Sequence, residues 1–335
     1  MEDIAHKAGV SRSTVSRVIN NHPNVSEKVR KRVREVIGDT GYTPNAAART
    51  LASHRSGMIG LIYPKTVSSV FADPYYPRLT QGIVSACNQK NYTLNLFMAE
   101  NRDEEENILS RALRTGFLDG MLVESGQIED LLIQRLKHSD IPLVVMGRPY
   151  HSDRVSYVDI DNVDAARIAV SHLISLGYQR IGTITGPIDF VVGIDRLQGY
   201  MKALKENNIP VNESLIVNAK FGEEHGYLAM QRMLPEKPRA VFAASDLIAL
   251  GAMRAVTEAG LRIPEDIAFV GFDDLPQINN PFPPLTTIRQ PIYGMGIQLV
   301  ETLLEMVEER STKVRRIIMD TQLIVRQSCG AMKKE

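Results

Sequence analysis

Over the first forty residues the apolar positions recur three and four apart; beyond Gly57 they gather into short runs. Ile4, Ala5 and Ala8 form one apolar edge, and Val15, Val18 and Ile19 form a second at helical spacing, with Gly9 turning the chain between them. Two short helices around a tight turn follow, spanning Ile4 to Asn20, and Ala5 is small enough for the second to cross closely. Ser11 can cap that second helix, and Ser26 can cap a third whose Val29, Val33, Val36 and Ile37 make an apolar stripe ended by Gly38 and Gly41. Residues 42–56 then read YTPNAAARTLASHRS. Pro44 stops the preceding helix, Asn45 can cap a new one, and the alanines favour it, yet so short a helix is marginal alone in water. A short helix and a flexible linker are both open for this segment.

From Gly57 the apolar text is that of an α/β body. Candidate strands are Met58–Tyr63, Thr93–Met98, Gly120–Val123, Leu143–Met146, Arg180–Thr185, Ala240–Ala243 and Ile267–Phe272. Helix-length amphipathic stretches alternate with them: Pro77–Lys90, Glu104–Thr115, Ile128–His138, Asp164–Leu176, Arg196–Asn207, Glu223–Leu234 and Asp246–Ala259. Such alternation predicts parallel sheets with helices on both faces, and the length favours two similar lobes over one sheet.

Charge changes the picture of the head. The formal net charge is zero, but residues 1–56 hold ten Lys/Arg against five Asp/Glu, leaving 29 against 34 in the remainder. The second helix turns outward Arg12, Ser13, Thr14, Ser16, Arg17 and Asn20, and no acid occurs from Lys7 to Val25. A solvated surface helix mixes Glu with Lys; a hydrogen-bonding face with two cations and no acid predicts a helix-turn-helix DNA reader. The opposite face of the third helix (Lys28, Arg30, Lys31, Arg32, Arg34) is basic as well, and for each of these cations plain solvation stays open as a reading.

Enzyme signatures are missing. No GxGxxG opens a helix after a strand, and no GxxxxGK[ST], HExxH, CxxC or GxSxG occurs. The seven histidines are scattered, and Cys87 and Cys329 give neither a disulfide framework nor a metal spacing. The expectation is a protein that is not an enzyme, needs no cofactor or metal, and keeps both thiols reduced. No charged-then-apolar leader and no run of membrane-span length appear, so a cytoplasmic protein is expected. The carboxylate pairs Asp273-Asp274 and Asp159-x-Asp161 are read as hydrogen-bond acceptors.

Ligands of open parallel sheets bind beyond the carboxyl ends of the strands. Asp73, Tyr75 and Tyr76 follow the first strand, Arg196 the Thr185–Gly193 loop, Asp246 the Ala240–Ala243 strand, and Asp274 the Ile267–Phe272 strand. Carboxylates and a guanidinium fork vicinal hydroxyls, and an aromatic face covers the apolar side of a pyranose, so this set suits a sugar. Helix capping is the other reading for Asp73, and turn capping for Asp274.

The runs AGVSRSTVSRVINNHPNVSEKVRKRV, GYTPNAAARTLA, VDIDNVDAA, DRLQGY, ASDLIALGA, VGFDDLP and PPLTTIRQP make the chain, from Glu2 to about Cys329, resemble the LacI family of bacterial transcription regulators. Family members have a few more residues before the first helix; here Met1 nearly opens it and no Thr or Ser caps it. The resemblance implies a helix-turn-helix domain over 1–44, a hinge helix over 45–56, and a periplasmic-binding-protein-like body over 57–330. Its lobes would be 57–158 with 291–318, and 159–288 with 320–330, joined by crossovers near Tyr157–Asp161, Ile288–Pro291 and Met319–Gln322. It makes Leu51 a minor-groove wedge, Ala48 a point of close approach, and Asn45 and Arg49 sugar-phosphate contacts. It carries effector contacts onto Arg196, Asp246 and Asp274, and a stacking aromatic onto Phe221. Arg148 falls where some relatives place an acidic sugar ligand, so that contact is open.

The expectation is a homodimer on pseudopalindromic double-stranded operator DNA, controlled by a small molecule, most simply a sugar. A nucleobase or a phosphoprotein corepressor is the alternative. A periplasmic-type sugar-binding protein and a Rossmann-like enzyme are the readings from other classes. The operator, the effector and the sign of its effect are not fixed by sequence.

Overall fold

The structure, a computed structural model, describes residues 1–19, 22–42, 55–113, 117–124, 126–128, 131–150, 154–276, 283–309 and 313–331. It divides into two compact units, Met1–Ser56 and Gly57–Glu335. In the head, α1 (Glu2–Lys7), α2 (Arg12–Ile19) and α3 (Glu27–Thr40) close on a small core of Ile4, Ala5, Ala8, Val15, Val18 and Val33. Gly9 turns the chain at φ +59°, and the Ser11 hydroxyl accepts the Thr14 N–H at 3.1 Å, capping α2. Two local expectations fail. Ser26 stands at the start of α3 without a side-chain cap, and α3 runs through Gly38 to Thr40 before Gly41 ends it in a left-handed turn at φ +59°.

The body holds two six-stranded sheets. The first comprises β1 (Met58–Tyr63), β2 (Thr93–Met98), β3 (Gly120–Glu124), β4 (Leu143–Met146), β5 (Ser156–Ile160) and β11 (Arg316–Met319), in the order β11-β5-β4-β3-β1-β2, all parallel. The second comprises β6 (Ile181–Thr185), β7 (Ile216–Asn218), β8 (Ala240–Ala243), β9 (Ala268–Asp273), β10 (Thr286–Arg289) and β12 (Gln322–Ile324). Its order is β12-β10-β9-β8-β6-β7, and only the β10–β12 pair is antiparallel. Strands β1, β3, β4, β6, β8 and β9 are buried on both faces, which explains why these read as continuous apolar runs.

Helices cover both faces of each sheet. In the first lobe α4 (Val67–Ala72) precedes α5 (Tyr75–Gln89); α5 and α12 (Ile292–Glu309) pack on one side, while α6 (Arg102–Ala112) and α7 (Leu131–Leu136) pack on the other. In the second, α8 (Asn162–Ser175) and α9 (Val191–Glu206) cover one face, and α10 (Glu223–Met233) and α11 (Asp246–Glu258) the other. Glycines set how closely the paired helices cross. A Cβ on Gly82 would strike the Tyr293 carbonyl, one on Gly199 the Val163 carbonyl, and one on Gly251 the Glu223 carbonyl.

The chain passes from the first sheet to the second after Ile160, returns after Arg289, and crosses again after Met319. Asp159 and Ile160, assigned from sequence to the second lobe, belong to strand β5 of the first. Cys87 and Cys329 are both free and buried, and the Cys329 sulfur lies 3.4 Å from His172 Nε2. Among the described residues no helix is long and apolar enough to cross a membrane.

Candidate functional sites: a reading helix and an interlobe cleft

On the head, Val15 and Val18 turn α2 inward and leave Arg12, Ser13 and Arg17 exposed, with Thr14 and Ser16 half-buried. Ser11 Oγ lies 2.7 Å from Ser13 Oγ and 2.9 Å from Thr14 Oγ1, so the cap also orders the first hydroxyls of the outward face. Arg12 Nη1 sits 3.7 Å from Glu2 across to α1, both side chains largely in solvent. A pair so exposed contributes little and leaves the guanidinium available to an anion. On α3, Arg30 donates to the His22 carbonyl at 3.0 Å and holds the preceding loop, a structural role for that cation. Asn20, Asn45, Ala48, Arg49 and Leu51 lie outside the described residues.

The body's cleft lies between the carboxyl ends of the two sheets and encloses about 910 Å³. Five of the residues expected there from sequence, Asp73, Tyr75, Tyr76, Arg196 and Phe221, line it. Tyr75 and Tyr76 open α5 rather than preceding it, and meet edge to face at 5.5 Å between centroids. Asp73 serves twice: it lines the cleft, and its carboxylate accepts the Tyr75 N–H at 3.0 Å. Phe221 leans its ring tip on Gly186, where any Cβ would collide with it.

Arg196 lies in the second turn of α9, which begins five residues earlier than its sequence pattern suggested. Its guanidinium stacks 3.7 Å over the Phe272 ring and donates from Nε to Asn162 Oδ1 at 3.0 Å and from Nη1 to the Ala244 carbonyl. Asp273 stands 3.7 Å away as its counter-charge and accepts Gln290 Nε2 at 2.6 Å. The floor is therefore a buried polar set drawn from both sheets, rich in acceptors. Burial pushes the Asp159 carboxyl up to about 6, against the N–H groups of Ile160 and Arg148. It also raises Asp273 well above the usual carboxylate range, with Arg196 opposing.

Two expected contacts are not brought to the cleft wall. Asp246 is spent on the scaffold: its carboxylate accepts Thr287 Oγ1 at 2.6 Å and the Leu275 N–H at 3.1 Å, tying the loop after β9 to β10. Asp274 pairs with Arg289 and Arg326 at 2.6 Å each and is not among the residues that line the cleft. Asp273, read from sequence only as part of an acceptor pair, takes the cleft position. Asp159, Asn162, Gln290 and Phe190 also line the cleft without having been singled out as contacts, as does Arg148, whose contact the sequence left open. The sequence carried two signals among them, the Asp159-x-Asp161 pair and the family position of Arg148, left open as a contact; Asp161 caps α8 and Asp159 lines the cavity.

At the mouth, Lys65 bridges the lobes. Its ammonium lies 3.5 Å from Glu124, 5.6 Å from the Tyr76 centroid and 5.3 Å from that of Phe190. Among the described residues no His, Cys, Asp and Glu are grouped so as to hold a metal ion.

Comparison with known proteins places this architecture. The profile for bacterial regulatory proteins of the lacI family matches residues 1–45, and that for a periplasmic binding protein-like domain matches residues 170–329. The HTH-type transcriptional regulator CelR of Thermobifida fusca is 38% identical over 332 residues, covering 98% of this chain and 97% of CelR. A solved transcriptional regulator CelR–cellobiose complex superposes with a TM-score of 0.78 at 35% identity, covering 97% of this chain and 98% of that one. The lac repressor dimer bound to operator and the anti-inducer ONPF superposes at 0.82 with 28% identity, covering 98% of each chain. A reading helix on a small head, two crossover-linked parallel lobes and near end-to-end likeness to these regulators lead to one conclusion: the chain belongs to the LacI family of bacterial regulatory proteins.

Proposed function

We propose that this chain is a homodimeric repressor of a carbohydrate-utilisation operon, working on DNA in the cytoplasm and controlled by a neutral sugar bound in the interlobe cleft. It acts by binding and not by catalysis. The cleft floor carries the reading. Asp159 and Asp273 offer acceptors, the Arg196 guanidinium is already committed to Asn162, Ala244 and Asp273, and Tyr76 and Phe221 supply apolar faces. Hydroxyl donors with an apolar ring face match that set, whereas a phosphate or carboxylate would meet an excess of acids. The cellobiose complex of CelR makes a β-linked glucose disaccharide the first candidate. The lac repressor dimer on its operator supports two heads on one pseudopalindromic site. From the family likeness, Asn45, Ala48, Arg49 and Leu51 are assigned to the minor groove between them.

The effector reading is tested by a thermal-shift screen of the full chain against mono- and disaccharides, sugar phosphates and nucleobases. A ligand at a hundredfold excess over its Kd stabilises by about 2.7 kcal/mol. Stabilisation by a nucleobase or sugar phosphate, with none by a neutral sugar, would replace the sugar in this reading.

In the head, Arg12, Ser13, Thr14, Ser16, Arg17 and Asn20 are assigned to the major groove. Arg17, exposed on the last turn of α2, is assigned to a base edge. Arg17→Ala is expected to weaken the best operator by roughly 1–3 kcal/mol and to relax preference at one symmetric pair of positions. Equal weakening on every duplex would make Arg17 a phosphate contact instead.

A further inference from the structure

The body begins at Gly57, directly after Ser56 closes the unit that holds the head. Gly57 stands before β1, at the amino ends of the first sheet's strands, whereas the cleft lies beyond their carboxyl ends. Its backbone is tied on both sides. The Gly57 N–H donates to Asp119 Oδ2 at 2.9 Å, and its carbonyl accepts the Thr93 N–H at 2.8 Å. The Asp119 N–H in turn donates to the Met58 carbonyl at 2.8 Å, so Asp119 holds two successive residues of the incoming chain. Gly57 takes φ +69°, a left-handed conformation that side chains resist, although a Cβ there would meet nothing within 4 Å. Glycine is required here by direction, not by space.

Asp119 is itself held firmly. Leu118 before it is buried and packs on β1 so closely that a Cβ on Gly60 would strike its Cδ1. Gly120 after it opens β3 against Leu303 of α12, where a Cβ would likewise collide. A carboxylate that accepts a backbone N–H makes a charge-assisted bond, roughly twice as strong as one between neutral groups. The Asp119 side chain is therefore a fixed point of the first sheet, and it sets the direction from which Ser56 reaches the body. That direction matters in the homodimer proposed above. Once one head is docked, the second binds from an effective concentration that the geometry of its tether sets, and a loosely directed tether lowers it.

We propose that Asp119 is a positioning residue for operator binding: its carboxylate, closed on the Gly57 N–H, fixes where and in which direction the chain leaves the body for the head. The effect on DNA rests on the operator reading proposed above; the anchoring of Gly57 does not.

The test uses the full chain and the variants Asp119→Ala, Asp119→Asn and Gly57→Ala, each checked by thermal melting. Amide hydrogen exchange at Gly57 is expected to speed up at least tenfold in Asp119→Ala, while exchange at Leu61, in the centre of β1, should stay as in the wild type. By fluorescence anisotropy on a selected pseudopalindromic duplex, Asp119→Ala should lose at least fivefold in affinity and Gly57→Ala at least threefold. Asp119→Asn, whose amide oxygen still accepts, should lose less than Asp119→Ala. On a duplex carrying one half-site, all three should stay within twofold of the wild type, because a single head needs no set direction. Wild-type affinity for the full site in both Asp119→Ala and Gly57→Ala overturns the positioning role. Equal losses on the full site and the half-site overturn it too, since Asp119 would then serve the fold alone. Unchanged exchange at Gly57 in Asp119→Ala overturns the anchoring. If the wild-type chain prefers no duplex, the operator reading itself has failed, and the exchange result still decides the anchoring.

Discussion

Arg196→Ala is expected to abolish the response of operator-bound protein to sugar and to destabilise the body by roughly 3–5 kcal/mol, the range for breaking a buried ion pair from one side. Both effects have one origin. Arg196 is 5% exposed, and its removal leaves Asp273 without a counter-charge, Asn162 and the Ala244 carbonyl without a donor, and Phe272 without its stacked partner. A binding assay alone would therefore confuse a lost contact with a loosened floor. Adding Asp273→Asn separates them, because it removes the orphaned charge and leaves the guanidinium missing. The double variant should recover much of the stability in urea melts while still failing to bind sugar. Recovery of wild-type sugar affinity in it would show that Arg196 serves only the scaffold.

Gly251→Ala should destabilise the body by about 3 kcal/mol, at the upper end of what overpacking a core produces. The sign is the informative part. In a helix interior, Gly→Ala ordinarily gains about 1 kcal/mol from backbone entropy. At Gly251 the new methyl would fall within the Glu223 carbonyl, so α10 and α11 must separate. At Gly38, inside α3, nothing lies within 4 Å, and the same substitution is expected to stabilise the head. Melts of the two variants test the packing account; a gain at both sites would mean that α10 and α11 do not cross as closely as described.

How much of this was legible depends on what fixes each side chain's direction. The head was readable because each of its helices has one buried face, so the spacing of Ile4, Ala5, Ala8, Val15 and Val18 assigns inside and outside at once. Seven strands of the body were readable as apolar runs, but Ser156–Ile160, Ile216–Asn218, Thr286–Arg289, Arg316–Met319 and Gln322–Ile324 were not. Ser156–Ile160 and Thr286–Arg289 carry polar residues within a short span, and the other three are short edge strands.

The cleft was half legible. Any residue after a strand end is near it, yet adjacent residues there point to opposite sides. Asp273 and Asp274 show the consequence: one faces Arg196, the other is tied to Arg289 and Arg326, and without the strand's phase the sequence offers both. Arg148 Nη2 donates to Asp195 from 47 positions away, and neither residue carries a pattern that announces the other.

The central claim is that one molecule binds two ligands whose affinities depend on each other. Its most direct measurement is the operator affinity of the full chain, by fluorescence anisotropy on a selected pseudopalindromic duplex, with and without a saturating amount of the sugar found in the screen. The account predicts a change of roughly 5- to 150-fold, with the sugar's affinity shifted by the same factor when operator is saturating. Operator affinity unchanged while calorimetry shows the cleft fully occupied would contradict it.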